Sequence, residues 1–170
     1  MGAVWDGSGY GTDSTVWGGE FLRTTEHGFE RVACLRPFRL PGGDAAVREP
    51  RRSALGLLSA RGGDALARWR ALQPTAFADD EWRVLTQAVR RGLNAPVTSS
   101  IGRLIDAAVA LMGVRQVMRF EGQAAMQLEE LVDTAVHDAY PFALSPAEAA
   151  WTLGSWRAPH LVVDWAPLVD

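Results

Sequence analysis

The chain has 170 residues, of which 48% are hydrophobic and 22% charged, values typical of one globular domain with a substantial core. The net charge is −3, and all 17 basic residues are arginine, so no basic surface indicates a nucleic-acid partner. A single cysteine excludes an internal disulfide, and the sequence shows neither an apolar stretch of roughly 18 residues nor an apolar leader. We therefore expect a cytoplasmic protein without nucleic-acid or membrane partners.

The N-terminal stretch, residues 4–21, combines apolar runs with glycines and one acidic residue near its start. The apolar residues before Asp6 are typical of a strand, and Asp6-Gly7 is expected to end that strand in a turn. Gly7, Gly9 and Gly11 stand at every second position around Tyr10. Such spacing predicts uncovered backbone N–H groups, as in loops that approach a phosphate. A second apolar run, residues 16–22, completes a β-hairpin with an acid-bearing glycine loop.

The residues after this hairpin predict further strands. Residues 3–6, 16–23 and 29–38 should form a three-stranded antiparallel meander. Cys34 lies in the third of these strands, where a buried structural thiol is favoured over a reactive one.

A glycine turn separates the meander from a helical region. Asp44 after Gly42-Gly43 is expected to cap the next helix; the alternative is that both glycines let the backbone approach a ligand. Helices are predicted over residues 44–49 and 51–60, with Pro50 restarting the second. The arginines at 48, 51 and 52 with their glutamate either bind an anion or form a salt-bridged surface, and the surface is favoured.

Helical periodicity continues through most of the remaining chain. It predicts helices over residues 64–72, 80–92 and 101–112, the last capped by Ser99 or Ser100 and ended by Gly113. Asp106 lies off the centre of that last apolar stripe, which favours a solvent-exposed carboxylate. The apolar positions 82, 85, 88 and 89 should line one face of the second helix.

Glu121-Gly122-Gln123 should open a further helix with residues 125, 128, 131, 132 and 135 inward. A glycine at such a start is a candidate anion or ribose site. Residues 140–144 and 161–164 predict short strands. Ser145 to Glu148 has the form of a capping box with Pro146 at the first helical position, and residues 165–168 predict one more helix.

The predicted fold class is α+β: a β-meander over residues 1–43, a helical segment over 44–138, and short strands with a helix over 139–170. His27, His137 and His160 share no ligand spacing, so a metal site built from these histidines alone is not expected.

Six ordered motifs resemble one family. They are residues 5–11 (WDGSGYG), 17–21 (WGGEF), 40–44 (LPGGD), 48–50 (REP), 99–106 (SSIGRLID) and 120–125 (FEGQAA). In sequence and order they are similar to the C-terminal domain of the hydrogenase maturation carbamoyltransferase HypF, which belongs to the actin-like ATPase superfamily. The resemblance runs along essentially the whole chain.

The resemblance implies a function for the complete enzyme. HypF uses carbamoyl phosphate and ATP to make carbamoyl-adenylate. It passes the carbamoyl group to the C-terminal cysteine of HypE, where the group becomes the cyanide ligand of [NiFe] hydrogenase. Asp6 matches a ligand of a divalent metal, iron or zinc. Asp106 and the Gly122 turn match positions that contact the nucleotide, although Gln123 stands where tRNA-modifying relatives carry a glycine.

The sequence also departs from the family pattern. The histidine pair expected before Asp6 and the later segment with the last metal aspartate are missing, and one carboxylate cannot fix a catalytic metal. We therefore expect no carbamoyl transfer from this chain unaided, and no catalytic residue is assigned. Two alternatives are a fragment of an antibiotic-type O-carbamoyltransferase and a non-catalytic module that binds a nucleotide or a protein.

Overall fold

The structure is a computed structural model that describes residues 1–147 and 159–169. The chain divides into two compact units. Met1–Pro37, Val97–Gly102 and Asp133–Asp170 form the first unit, and Phe38–Pro96 with Arg103–Val132 form the second. The three-part division expected from the sequence remains a prediction.

Mixed α and β structure confirms the predicted fold class. The strands of the described residues are β1 (Gly2–Tyr10), β2 (Val16–Thr25), β3 (Gly28–Leu35), β4 (Phe38–Arg39), β5 (Val97–Thr98), β6 (Ala143–Pro146) and β7 (Leu161–Asp164). The helices are α1 (Ala45–Arg48), α2 (Pro50–Arg61), α3 (Ala65–Leu72), α4 (Asp79–Arg91), α5 (Ile101–Leu111) and α6 (Gln123–Glu130).

The first unit is built on a mixed sheet. Strands β1, β2 and β3 form the predicted antiparallel meander. Strand β5 joins β2 in parallel, β7 joins β3 in parallel, and β6 returns antiparallel to β7. The parallel pairs bring distant stretches of the chain onto the meander, and the start of α5 follows directly from β5.

A small apolar cluster fills the first unit between these strands. Cys34, Val97 and Val162 are buried together. Burial raises the pKa of the Cys34 thiol to about 12, so the thiol stays protonated and unreactive at neutral pH. The predicted structural role of Cys34 is confirmed.

The second unit is helical and begins with the two-residue strand β4. Helix α2 starts at Pro50, as predicted, and approaches β4 so closely that a Cβ on Gly56 would lie 1.8 Å from the Arg39 carbonyl oxygen. The aromatic rings of Trp69, Phe77 and Trp82 pack with centroids 6.0–6.2 Å apart. The predicted helices over 64–72, 80–92 and 101–112 are all confirmed to within one or two residues.

The arginine cluster at the start of α2 is a salt-bridged surface. Arg51 Nη2 lies 3.1 Å from Glu81 Oε1, and Arg52 Nε lies 2.9 Å from Glu49 Oε2. Arg51 also stacks over the Phe77 ring at 4.5 Å. These ion pairs bear out the salt-bridged interpretation for Arg51, Arg52 and Glu49, whose side chains are partly buried.

Two predictions near the C-terminal end are wrong. Helix α6 ends at Glu130, so Leu131, Val132 and Ala135 lie outside it and are exposed, while Gln123 and Ala124 are buried instead. Pro146 does not begin a helix, because it pairs with Leu161 in the edge strand β6, where a missing N–H can be tolerated.

The remaining C-terminal predictions have mixed outcomes. The rest of the predicted capping box, from Glu148, lies outside the described residues. Strand β7 is confirmed, and the chain then makes a 3-10 turn over Ala166–Leu168. Within residues 1–147 and 159–169, no helix has the length and apolar character needed to span a bilayer.

Candidate functional site

The N-terminal hairpin turns later than predicted. Strand β1 does not end at Asp6-Gly7; it continues to Tyr10, which pairs with Val16, and the turn follows with Gly11 N–H donating to the Thr15 carbonyl at 2.8 Å. A Cβ on Gly11 would lie 2.1 Å from Trp17 Nε1, so glycine is required there by packing. Tyr10 is 85% exposed.

Asp6, Gly7 and Ser8 form a bulge in β1. Trp5 pairs with Gly19 and Gly9 with Trp17, so these three residues stand opposite Gly18 alone. The Asp6 side chain is exposed, and its Oδ1 accepts the Gly7 N–H at 2.6 Å. A bulge re-aims a side chain, and here it presents a carboxylate.

The amides of this loop are already used within the chain. Gly7 N–H is bound to Asp6 and Gly11 N–H to Thr15, so the expectation of uncovered N–H groups at both glycines is wrong. The physical reason is the longer β1, which turns a presumed open loop into a bulged ladder. A role of Gly7, Gly9, Tyr10 and Gly11 in phosphate binding therefore stays a prediction.

The residues before and at the start of α5 hold this bulge. Ser100 Oγ lies 2.8 Å from the Asp6 carbonyl oxygen and 2.7 Å from that of Gly7. A Cβ on Gly102 would lie 2.7 Å from the Gly7 Cα. Ser100 was expected only as a helix cap. Its contact with the hairpin comes from a pairing that no local pattern reveals.

A buried polar network lies beside the bulge. Glu20, 1% exposed, accepts hydrogen bonds from Gly18 N–H at 2.6 Å and Gly19 N–H at 2.8 Å through Oε2. Its Oε1 binds Arg31 Nη2 at 2.8 Å and also accepts the Ser99 hydroxyl. The sequence analysis missed this network, although a glutamate directly after two glycines in an apolar strand was a usable signal.

The other arm of Arg31 reaches the hairpin turn. Arg31 Nη1 lies 3.2 Å from Asp13 Oδ2, and Asp13 Oδ1 accepts Thr15 Oγ1 at 2.6 Å and Trp17 Nε1 at 2.9 Å. Burial by itself would raise the pKa of Asp13. The Thr15 hydrogen bond and the Arg31 charge outweigh burial, so the pKa of Asp13 is below its usual value and the carboxylate is charged.

The glycine turn before α1 lies in the second unit. Gly42 and Gly43 have φ values of +89° and +55°, which favour glycine. Their N–H groups donate to Asn94 O at 2.8 Å and Leu40 O at 3.1 Å. The Asp44 side chain makes no capping hydrogen bond, so the predicted cap is wrong; α1 is only four residues long. Ligand binding by residues 42–44 stays a prediction.

Asp106 is buried, so the solvent-exposed interpretation is wrong. Its side chain lies in α5 with Oδ2 2.9 Å from Arg103 Nη2, one turn away. Burial raises the pKa of Asp106 to about 6, and the Arg103 charge offsets only part of that rise. A nucleotide contact by Asp106 is untested and stays a prediction.

The Gly122 turn begins α6. Gly122 has φ +77°, and among the described residues, apart from its two chain neighbours, no atom lies within 4 Å of the position where its Cβ would be. Glu121 is exposed, whereas Gln123 is buried and its Oε1 accepts the Arg119 N–H at 2.8 Å. The open side of Gly122 is compatible with an approaching ligand, and the assignment of Glu121, Gly122 and Gln123 stays a prediction.

The residues present do not make a metal site by themselves. Among the described residues, no group of three histidine, cysteine, aspartate or glutamate side chains is placed to hold an ion. Asp6 brings one carboxylate, one oxygen of which already accepts an N–H. The iron or zinc that the resemblance implies would need ligands from outside these residues, so we derive no chemical step through it.

Fold and site together define the class of protein: an α/β segment of the Kae1-like type with a bulged, carboxylate-bearing hairpin. The family model "Carbamoyltransferase, Kae1-like Domain, second subdomain" matches residues 2–170. The chain belongs to this carbamoyltransferase HypF family. The family expectation and the fold class of the sequence analysis are thus confirmed.

Curated relatives and solved structures agree. Over 99% of this chain's length, the sequence is 37% identical to "Carbamoyltransferase HypF" of Synechocystis. Over 94% of this chain's length, it is 43% identical to "Carbamoyltransferase HypF" of Rhodobacter capsulatus. A crystal structure of full-length HypF in a phosphate- and nucleotide-bound form superposes on 98% of the chain with a TM-score of 0.79 and 32% identity. The HypF of T. kodakarensis superposes on 82% with a TM-score of 0.67.

The chain matches only part of each relative. It covers 22% of the Synechocystis protein, 21% of the Rhodobacter protein and 20% of the full-length HypF chain. The chain thus spans about a fifth of the length of these relatives.

Proposed function

We propose that this chain is part of a HypF-type carbamoyltransferase. The complete enzyme uses carbamoyl phosphate and ATP, through carbamoyl-adenylate, to carbamoylate the C-terminal cysteine of HypE for the cyanide ligand of [NiFe] hydrogenase. The observation that carries the proposal is the family match along residues 2–170, together with the likeness to a HypF bound to phosphate and nucleotide. The chain alone is incomplete and inactive.

The transfer step sets the demands on the site. The cysteine sulfur attacks the carbamoyl carbon, a C–S bond forms, the C–O bond to the adenylate phosphate breaks, and AMP leaves with that electron pair while solvent takes the thiol proton. The reaction requires that the phosphate be held and the sulfur brought into line with the carbonyl.

The residues of this chain supply parts of that arrangement. Asp6 presents an exposed carboxylate from a bulge, at a point where the backbone is held by neighbouring strands. Asp106 is buried in α5, the Gly42-Gly43 turn lies beside the Arg52 and Asn94 side chains, and the Cβ position of Gly122 is open among the described residues. We assign Asp6 to the transfer site, and the other three features to nucleotide binding.

Substitution of Asp6 in the complete enzyme tests the proposal. Asp6→Ala should abolish carbamoyl transfer to HypE and leave carbamoyl-phosphate-dependent ATP–pyrophosphate exchange largely intact, because exchange reports adenylate formation and not transfer. Asp64→Ala is the matched control, since Asp64 is also an exposed aspartate and lies directly before α3. Loss of both activities, or retention of both, would contradict the assignment.

The nucleotide assignment has its own test. Asp106→Ala in the complete enzyme should weaken ATP binding measured by isothermal titration, while the conservative Asp106→Asn should weaken it less. Unchanged affinity in both variants would leave Asp106 as a structural residue of α5.

A further inference from the structure

The glycines of the Trp17-Gly18-Gly19-Glu20 motif give room to the Asp6 bulge. Gly18 has φ +151°, and a Cβ there would lie 2.4 Å from the Asp6 carbonyl oxygen. A Cβ on Gly19 would lie 2.2 Å from the Ser99 carbonyl oxygen. Both positions therefore exclude any side chain, because backbone atoms already occupy the space.

The amides of these two glycines are held by a charge. Both N–H groups donate to Glu20 Oε2, at 2.6 and 2.8 Å. Glu20 is nearly fully buried, and Arg31 balances its charge at 2.8 Å. Bonds between amides and a buried carboxylate are stronger than neutral ones, so the strand opposite the bulge is fixed.

The far side of the bulge is fixed through the segment before α5. The Ser99 hydroxyl donates to Glu20, and the next residue, Ser100, places its own hydroxyl within hydrogen-bonding distance of the Asp6 and Gly7 carbonyl oxygens. Gly102 packs against the same side of the bulge, since a Cβ at this position would lie 2.7 Å from the Gly7 Cα. The Glu20 carboxylate thus binds both the strand opposite the bulge and Ser99, the neighbour of Ser100.

We propose that Ser100 and Glu20 are positioning residues that fix the backbone of Asp6, so that its exposed carboxylate is preorganised for carbamoyl transfer. The proposal rests on the proposed function of Asp6. Glu20 and Ser100 are buried, whereas the Asp6 carboxylate is exposed. Such an arrangement holds a functional carboxylate in place without removing it from water.

The test compares two hydroxyl deletions in the complete enzyme. Ser100→Ala removes the group that contacts the bulge. Ser59→Ala is the matched control, because its hydroxyl donates to a helix carbonyl, that of Leu55, at 2.7 Å in α2. Ser100→Ala should lower the kcat of carbamoyl transfer by roughly 10- to 100-fold, the scale expected for a misplaced catalytic group, with KM for ATP within about twofold. Ser59→Ala should leave both constants unchanged.

A second measurement separates positioning from general loss of stability. In amide NMR spectra of the 170-residue chain, Ser100→Ala should shift the Gly7 N–H signal and leave the signals of α2 unmoved, while Ser59→Ala should do the reverse. Glu20→Gln should reproduce the Gly7 shift, since it removes the charge that holds Gly18 and Gly19.

The outcomes are distinguishable. Equal losses in Ser100→Ala and Ser59→Ala would overturn the positioning role, as would normal transfer by Ser100→Ala in an enzyme that Asp6→Ala inactivates. Normal transfer by Asp6→Ala would instead overturn the proposed function, and the positioning role with it.

Discussion

Two buried aspartates in this protein have opposite ionisation behaviour. Asp13, in the hairpin turn of the first unit, and Asp106, in α5 of the second, each lie beside one arginine, at 3.2 and 2.9 Å. Yet the pKa of Asp13 is lowered, whereas that of Asp106 is raised to about 6. Burial raises the pKa of both, and Asp106 is the more buried of the two residues.

Hydrogen-bond donors account for the lowered pKa of Asp13. Asp13 accepts hydrogen bonds from Thr15 and Trp17 in addition to Arg31, and these donors favour the charged form. Only Arg103 offsets the desolvation of Asp106. An arginine alone therefore does not hold the pKa of a buried carboxyl at its ordinary value, whereas an arginine together with hydrogen-bond donors lowers it.

The largest expected effect on stability is at Glu20, the centre of the buried hairpin network. Glu20→Ala leaves Arg31 without its closest acceptor and two buried amides unsatisfied, so it should destabilise the chain by about 3–5 kcal/mol in urea unfolding. Glu81→Ala is the control from the less buried cluster at the start of α2, where Arg51 and Arg52 both keep Glu49 as a partner, and it should cost clearly less than Glu20→Ala. Similar losses in the two variants would break the comparison.

Next in size is the pH dependence of the Asp106 contribution. Its pKa in the folded chain, about 6, exceeds the ordinary 3.8, so the folded state binds the proton more tightly and stability falls as pH rises between these values. Stability of Asp106→Asn relative to wild type should therefore increase by roughly 2–3 kcal/mol from pH 4 to pH 7. A flat difference across this range, measured by denaturant titration, would show that Asp106 is charged throughout.

The Asp13 contribution should have the opposite sign and a smaller size. Its pKa is depressed below the ordinary 3.8, so its stabilisation is present above that pH and is lost as pH falls through the folded value. Wild type should exceed Asp13→Asn in stability at pH 7, and the gap should narrow below about pH 4. A gap that widens on acidification would contradict the donor argument.

The smallest effect is expected at the exposed pair of Arg23 and Glu30. The Arg23 side chain is 58% exposed, and water competes for both partners. Arg23→Ala should leave the urea midpoint within experimental error, at low and at high salt alike. A clear shift of the midpoint would mean that exposed ion pairs carry stability in this chain, contrary to the distinction drawn above.

Much of the fold could be predicted because its signals are local. Helices α2 to α5 follow from apolar spacing, Pro50 and Gly113, and the meander follows from alternating strands and turn residues. The wrong predictions have two physical causes. The capping-box pattern predicts a helix at Pro146, but Pro146 pairs with Leu161 in a strand. Asp6-Gly7 predicts a turn, but these residues form a bulge within β1.

For the candidate site, the sequence predicts individual residues but not the contacts between them. The motif order pointed to Asp6, Asp106 and the three glycine turns, and the family match supports that choice of segment. No local pattern connects Ser100 with Asp6, which are 94 positions apart. Exposure was also misjudged for Asp106, since one position off a helical stripe can face either solvent or a neighbouring element.

By itself the sequence determined the family and helices α2 to α5, because these depend on motif order and on spacing along the chain. Only the tertiary structure decided that Glu20 is buried, that Arg31 joins it to Asp13, and that Ser100 holds the Asp6 bulge. The Arg31 contacts cross the antiparallel pairing of β2 and β3, and the Ser100 contact depends on the parallel pairing of the remote β5 with β2. The energy of a buried charge depends on which donors such pairings bring to it.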